Sequence, residues 1–190
     1  NAGPLEDHVK RISVAVAAVA ALAVSALAQT TSTKPLEIYV VDVEGGKADL
    51  WVTPAGQTLL IDSGNPGTRD VDRIMEVAAA AGVTKLDYLI STHYHLDHIG
   101  GLQELVKRLP VGTFVDHGPS AEEREQVAGF QAAYAELFGR AKHLVVKPGD
   151  RIPLTGVDWR VVTADGQVPK AALPGGTGTI SEVALALKAG

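Results

Sequence analysis

Four side chains that can bind a metal ion lie within six residues of one another: His93, His95, Asp97 and His98. Side chains two positions apart point the same way in extended backbone, so His93 and His95 can face one metal ion. Asp97 and His98 are adjacent and must diverge, which suits a second, neighbouring metal position. Imidazole and carboxylate ligands favour Zn²⁺ or iron, and the absence of cysteine excludes thiolate-bound sites.

The same segment has a plainer interpretation. Three histidines in a loop can form a solvated polar turn, or a tract that binds metal only adventitiously. Histidine is scarce in this chain, however: there are six in 190 residues, and three of them fall in these six positions. Gly100 and Gly101 follow and would let the next helix start close beneath the segment. We therefore expect a metal site here.

The neighbouring segments predict the elements that would position this motif. An apolar run at 86–91 predicts a buried strand directly before it, and 102–109 predicts a helix after it. Residues 49–62 predict a β-hairpin, made of strands at 49–53 and 58–62. Further strands are predicted at 36–43, 112–116, 144–147, 151–154, 158–163 and 181–188, and helices at 69–81 and 121–139. Strands mixed with single helices indicate an α/β or α+β fold.

Other polar segments have less specific patterns. Asp116 and His117 end a predicted strand that should open near the same rim, either as a pocket-lining pair or as a polar turn; both interpretations stay open. His143 is interpreted as a surface residue. The charged run 122–125 is interpreted as the solvated first turn of a helix. The glycine-rich segment 175–179 lacks the lysine of a phosphate-binding loop and is interpreted as a flexible loop.

The order of ligands and glycines resembles the signature of the metallo-β-lactamase-fold hydrolases, here His93-x-His95-x-Asp97-His98 followed by Gly100-Gly101. Residues 59–64 (LLIDSG) resemble the family's strand ending in Asp-x-Gly. The resemblance is strong over 36–119 and weak beyond. It implies an α/β fold, the αββα sandwich of that family, with 36–190 forming its N-terminal half to two thirds.

The resemblance also implies roles for these residues. His93 and His95 would bind a first metal ion, and Asp97 and His98 a second. Asp62 would orient a ligand histidine. A metal ion lowers the pKa of bound water from about 15.7 towards about 7, and Asp97 can accept the released proton and pass it to the leaving group as the catalytic acid and base. The implied cofactor is Zn²⁺, two ions per complete site, with iron or manganese as alternatives.

The sequence departs from the family after the motif. The family completes its site with a later histidine, a bridging aspartate and a last histidine, whereas only His117 and His143 follow here, and neither has the expected context. Three explanations stay open: a chain that stops before the second half of the fold, a degenerate relative, or an atypical site using these two histidines. The strand at 181–188 resembles the one preceding the bridging aspartate in relatives, which favours the first.

Composition fits a single globular domain. The apolar fraction of 46% and mean hydropathy of +0.12 argue against intrinsic disorder. A formal net charge of −5, with no basic patch to offset it, makes a nucleic-acid partner unexpected. The absence of cysteine also excludes disulfides and cysteine nucleophiles.

The N-terminal region resembles an export signal. An uncharged run at 12–28 follows Lys10 and Arg11 and ends in Ala-Leu-Ala, the small-x-small pattern that signal peptidase cleaves. We therefore expect a cleaved signal peptide at 1–28 and a polar spacer at 29–35. A membrane anchor is the alternative, but the run is short for a bilayer span and rich in alanine and valine. The expected location is periplasmic or secreted, without a stable membrane span after cleavage.

Together these patterns predict an exported metal-dependent hydrolase whose metal-bound hydroxide attacks an ester, amide, thioester or phosphodiester. The substrate, whether a small molecule or a polymer, is not readable, because loops select it. The alternatives are a non-catalytic metal-binding domain of the same fold and a di-iron redox member. Metal content and turnover separate the three.

Overall fold

The computed structural model describes residues 34–120, 122 and 124–168, apart from the side chain of Arg140. The predicted signal peptide, residues 29–33 of the spacer, and the loop and strand predicted at 175–179 and 181–188 lie outside these residues. The described elements are, in chain order, β1 (Glu37–Val40), β2 (Asp49–Val52), β3 (Thr58–Ile61), α1 (Arg69–Ala80), β4 (Leu86–Ile90), α2 (Leu96–Ile99), α3 (Leu102–Arg108), β5 (Val111–Asp116), α4 (Glu125–Ala135), a 3-10 turn (Phe138–Arg140), β6 (Lys142–Val145), β7 (Arg151–Ile152) and β8 (Trp159–Arg160).

Six strands form one mixed sheet in the order β1-β2-β3-β4-β5-β6. β1, β2 and β3 are antiparallel neighbours, and the predicted hairpin is the β2–β3 pair, in which Asp49 lies opposite Ile61. β3, β4, β5 and β6 run parallel, with helical segments in each connection between them, as parallel pairing requires. This arrangement confirms the predicted α/β class.

Both faces of the sheet are covered by apolar side chains. Leu59 and Leu60 are adjacent in β3 and point to opposite faces, and both are fully buried. Leu60 packs in the cluster that contains the buried side of α1, including Val71 and Ile74. Leu59 packs in a smaller cluster with Ile152 of the β7–β8 hairpin. Fully burying each such side chain stabilises the fold by about 1.5–3 kcal/mol.

Several element boundaries differ from the prediction. The strand predicted at 144–147 is β6, two residues earlier, because its register is set by parallel pairing that places Asp116 opposite Val145. The helix predicted at 121–139 begins only at Glu125 and ends at Ala135, after which the chain tightens into the 3-10 turn. The strand predicted at 36–43 stops at Val40, because the chain then turns through Glu44, whose φ is +56°.

The carboxyl ends of β3, β4 and β5 meet at one edge of the sheet. Backbone hydrogen bonds continue just past the strands, from Asp62 N to Ile90 O (2.8 Å) and from Ser91 N to Val115 O (2.9 Å). Residues that follow these strands are therefore brought together, and this edge is where open α/β sheets bind ligands. Within the described residues, no helix is both long and apolar enough to cross a bilayer.

Candidate metal centre

Asp62 is the buried anchor of the site. It follows β3 with φ +60°, in the left-handed region that side chains other than glycine seldom adopt, and is 1% exposed. Its Oδ1 accepts a hydrogen bond from Thr92 N (2.8 Å), and its Oδ2 accepts one from Thr92 Oγ1 (2.7 Å). Oδ2 also lies 2.8 Å from His98 Nδ1. The uncommon backbone conformation thus aims one carboxylate at both ends of the histidine motif.

The three histidines of the motif form a single cluster. The ring centroid of His93 lies 3.9 Å from that of His98 and 4.6 Å from that of His95. Burial, followed by the neighbouring His98 and His95, holds the pKa of His93 below its usual value. A lowered pKa favours the neutral imidazole, which is the form that binds metal ions.

The side chains of Asp97 and His98 leave the backbone of the short helix α2 in different directions, as expected for adjacent residues. Their terminal atoms nevertheless lie near each other. His98 turns towards Asp62, while Asp97 is 43% exposed and its Oδ2 lies 3.6 Å from His98 Nε2. The backbone of Asp97 is fixed by Lys47 N, which donates to its carbonyl oxygen at 3.1 Å. Gly46 permits this approach, because a Cβ there would overlap the same oxygen.

α3 starts directly beneath the motif, as the glycine pair predicts. A Cβ on Gly101 would overlap the backbone oxygen of Ser63, the residue after Asp62. Ser63 in turn holds the motif, since its backbone nitrogen donates to His98 O at 2.6 Å. The close contact therefore ties α3, the end of β3 and the histidine motif into one unit.

The donors fit a divalent metal ion in chemical type, although their side chains do not converge on one point. No three His, Asp or Glu side chains of the described residues form a group arranged to hold a metal ion. His98 keeps one ring nitrogen for Asp62, which leaves Nε2 for a metal, as metal-binding histidines usually do. His93 uses Nδ1 towards Thr92 Oγ1, at 3.1 Å.

His95 meets two charged side chains that the sequence interpretation did not place here. Its Nε2 lies 2.7 Å from Glu122 Oε2 and 3.1 Å from the guanidinium nitrogen Nη2 of Arg124. Glu122 and Arg124 also form an ion pair. One ring nitrogen cannot both donate to Glu122 and accept from Arg124. The interpretation of 122–125 as a solvated helical turn is wrong for these two residues, because the helix begins after them at Glu125.

Asp116 and His117 lie at the end of β5. Asp116 is 1% exposed; its Oδ1 accepts a hydrogen bond from Gly118 N at 2.8 Å. The ring of His117 lies 5.6 Å from that of Tyr94, a residue inside the motif, and its buried Nδ1 has no partner in the described part of the chain. Tyr94 itself donates to the carbonyl oxygen of Gly118 at 2.7 Å. The pair therefore lies beside the motif.

His143 is more than the surface residue expected from the sequence. It lies on the edge strand β6, yet its Nε2 is 2.6 Å from Asp116 Oδ2 and its ring stacks on Phe138 at 3.9 Å. No pattern along the chain reveals this contact, because it arises only when β6 pairs with β5.

A cavity of about 790 Å³ opens beside the site, on the sheet face covered by the β7–β8 hairpin. Its polar lining includes Thr92, Asp116, His117 and Glu122, and its apolar lining includes Ile90 and Val115. A mainly apolar cavity with a few convergent polar groups is typical of a small-molecule site.

Comparisons with known proteins place this geometry in a family. Residues 49–180 match the family described as the metallo-beta-lactamase superfamily. The coenzyme F420H₂ oxidase of Methanothermobacter marburgensis is 33% identical over 99 residues, which are 51% of this chain and 23% of that protein. The chain thus spans about a quarter of the length of that relative.

Solved structures give partial matches as well. The subclass B3 metallo-beta-lactamase BJP-1 of Bradyrhizobium japonicum is 26% identical, with a TM-score of 0.43, over 62% of this chain and 45% of that one. MEM-A1, a subclass B3 metallo-beta-lactamase from a soil metagenome, is 21% identical, with a TM-score of 0.46, over 69% of this chain and 52% of that one. Because the family match covers well over half of its residues, this chain belongs to the metallo-beta-lactamase superfamily.

Proposed function

We propose that this protein is an exported metal-dependent hydrolase whose metal centre is the motif from His93 to His98. The superfamily supports metal-dependent hydrolysis in general. The observation that carries the proposal for this chain is the buried carboxylate of Asp62, 2.8 Å from the ring of His98 and hydrogen-bonded to Thr92. A buried carboxylate that orients a clustered imidazole is what a metal ligand needs and what a solvated turn lacks.

The four side chains of the motif would form two neighbouring metal positions. His93 and His95 would hold one ion, and Asp97 and His98 a second, with Zn²⁺ as the first choice and iron or manganese as alternatives. A bound ion would supply Lewis-acid assistance and a water of lowered pKa. Asp97, 43% exposed at the rim, can take the proton of that water and return it to the leaving group.

The substrate would enter the cavity beside the motif and carry an ester, amide, thioester or phosphodiester bond. Asp116 and His117 would contact it from the end of β5, and apolar side chains such as Ile90 and Val115 would pack against its apolar part. The net charge of −5 disfavours a polyanion such as nucleic acid as substrate. Export through the leader predicted at 1–28 would take the reaction to the periplasm or outside the cell. N-terminal sequencing of the exported protein tests this, and a mature chain starting before residue 29 would contradict it.

A second candidate function is a redox reaction. The relative from Methanothermobacter marburgensis is named as an oxidase, and the same imidazole and carboxylate donors can hold two iron ions. A coloured, iron-containing protein without hydrolytic turnover would favour this candidate.

Turnover by the zinc-loaded chain tests the hydrolase proposal. We expect cleavage of a generic p-nitrophenyl ester or phosphodiester, and we expect Asp97→Asn to lower kcat by about 10²–10⁴ with the fold intact, because the proton acceptor is lost. Glu76→Gln, which changes an exposed carboxylate on α1, serves as the control. Turnover that is equal in the Asp97 variant and the wild type would contradict the proposal.

A further inference from the structure

The floor of the cavity is a row of apolar side chains on three neighbouring strands. Ile61 of β3 lies opposite Ile90 of β4, and Ile90 lies opposite Val115 of β5. Ile152 and Trp159 of the β7–β8 hairpin pack in the same apolar cluster and also line the cavity. Because strand pairing sets the positions in this row, the floor is formed before any ligand binds.

Thr92 connects this floor to the histidine motif. It lines the cavity two residues after Ile90, and its Oγ1 lies 3.1 Å from His93 Nδ1 and 3.3 Å from His98 Nδ1. A substrate whose reacting bond lies at the motif would therefore place its adjoining atoms on the apolar floor. Each methylene group buried there is expected to tighten binding about fourfold.

The charged side chains of the cavity wall are mainly acidic. Among the described residues, the carboxylates of Asp116, Glu122 and Asp165 line the cavity, together with one arginine, Arg160, and no lysine. Arg160 is already paired with Asp158, whose Oδ2 lies 2.9 Å from its guanidinium. Like charges repel most strongly where water is excluded, so this wall disfavours an anionic ligand and tolerates an uncharged one.

Two polar atoms of the lining residues lack a partner. Ser91 Oγ and His117 Nδ1 are buried, and neither makes a hydrogen bond within the part of the chain that the structure describes. A buried polar group without a partner is costly, so a ligand that supplies a hydrogen bond is favoured beside it. A hydroxyl group, and an imidazole nitrogen in one of its tautomers, can donate to a carbonyl oxygen. A carbonyl group offers this acceptor without bringing a charge.

We propose that the cavity binds an uncharged aliphatic ester, amide or thioester, with its chain on the row of Ile61, Ile90 and Val115 and its carbonyl group near Ser91 and His117. The inference rests on the proposed function and narrows the substrate to carboxylic acid derivatives, because a phosphodiester would bring an anion to an acidic wall. The volume of about 790 Å³ is within the range of about 300–1,000 Å³ that small-molecule sites have.

Binding of small probes to the full chain tests the assignment without an activity assay. The chain has two tryptophans, Trp51 and Trp159, whose rings lie 4.7 Å apart, and Trp159 lines the cavity. Tryptophan fluorescence therefore reports a ligand in the cavity. Hexanamide is the uncharged probe, butanamide is its shorter homologue, and hexanoate and hexyl phosphate are the anionic probes. A chelator in every sample makes the readout independent of metal.

We expect hexanamide to bind about tenfold or more tightly than either anion, and about tenfold more tightly than butanamide, which buries two methylene groups fewer. Ile90→Thr should weaken hexanamide binding about fivefold, because a hydroxyl group replaces apolar surface of the floor. Ile38→Thr is the matched control: the same substitution on the edge strand β1, at a position that is 48% exposed and outside the cavity lining, should leave the affinity unchanged. The comparison of the four probes uses the wild type, so it does not depend on the folding of a variant.

The outcomes separate this inference from the proposed function. Hexyl phosphate or hexanoate that binds as tightly as hexanamide would overturn the inference. Equal affinities for hexanamide and butanamide, or no fluorescence change with any probe, would overturn it as well. These results would leave the metal centre standing, since zinc content tests that separately. A chain that binds hexanamide as expected but takes up no zinc would support the apolar binding site and overturn the hydrolase proposal.

Discussion

At the scale of single residues, buried carboxylates just after β3 and at the start of α1 fix their neighbours. Asp62 and Asp70 are each 1% exposed and each accept hydrogen bonds from at least two donors. A buried carboxylate is costly unless its lone pairs are used. Replacing either with the isosteric amide therefore changes the hydrogen bonding while keeping the size of the side chain.

Asp62→Asn should weaken metal binding by about 10–100-fold. The amide has one acceptor oxygen in place of two, so it cannot serve both Thr92 and the ring of His98. Asparagine tolerates the left-handed backbone, so the fold should persist. Chelator competition measures the affinity, and Glu76→Gln is the control; an Asp62 variant that binds metal as tightly as this control would refute the orienting role.

Asp70→Asn should destabilise the protein by about 1–3 kcal/mol at neutral pH. Burial acts to raise the pKa of Asp70, but hydrogen bonds from Arg69 and Asn65 outweigh it and hold the pKa below its usual value. A depressed pKa gives stability that is present above the unfolded pKa of about 4 and is lost as pH falls through the folded pKa. Urea unfolding from pH 7 to pH 3 should show the difference between variant and wild type shrinking, whereas a constant difference would contradict this.

At the scale of elements, tight contacts between chain segments hold the motif at the sheet edge. α3 begins against the end of β3, and the loop after β5 is held by Tyr94 and Asp116. The glycine pair after the motif predicts the first contact. The second joins residues more than twenty positions apart, and no local pattern encodes it.

Gly101→Ala should destabilise the protein by about 1–3 kcal/mol, because the new methyl group meets the backbone oxygen of Ser63. Gly129→Ala is a control of opposite sign: Gly129 lies inside α4 with open space around it, so alanine should stabilise the helix by about 0.5–1 kcal/mol. Thermal unfolding of both variants measures the effects. Equal shifts in Tm would show that the close contact is not what requires glycine at 101.

At the scale of the whole molecule, both edges of the main sheet, as formed by the residues that the structure describes, expose apolar side chains. Val40 on β1 is 80% exposed, and Val145 on β6 is 57% exposed. Unpaired backbone groups next to apolar side chains make an edge strand prone to pairing with another chain. Self-association of the protein is therefore expected at high concentration.

Val40→Lys should reduce this self-association, because a charge on an edge strand opposes pairing. Gln103→Lys adds the same charge at an exposed position of α3 and should not. Light scattering coupled to gel filtration, over a range of concentrations, compares the two. An unchanged mass distribution for the Val40 variant would exclude β1 as the associating edge.

The sequence predicted much of the fold and only part of the site. Local signals, namely the periodic spacing of apolar residues and the turn-forming residues between them, predict the β2–β3 hairpin, α1, β4 and α3. The predicted start of α4 and the predicted bounds of β6 are wrong, because pairing with β5 and packing decide them. Glu122 and His143 were missed for the same reason: their partners, His95 and Asp116, are each 27 positions away.

Metal content most directly tests the claim that the segment from His93 to His98 is a metal centre. The full chain is loaded with Zn²⁺, freed of excess metal by gel filtration and analysed by inductively coupled plasma mass spectrometry, beside His95→Ala and the control Gln103→Ala, at an exposed position of α3. The account predicts at least one zinc ion per chain in the wild type and the control, and a clear loss in His95→Ala. A His95→Ala variant that retains the wild-type zinc content would contradict it.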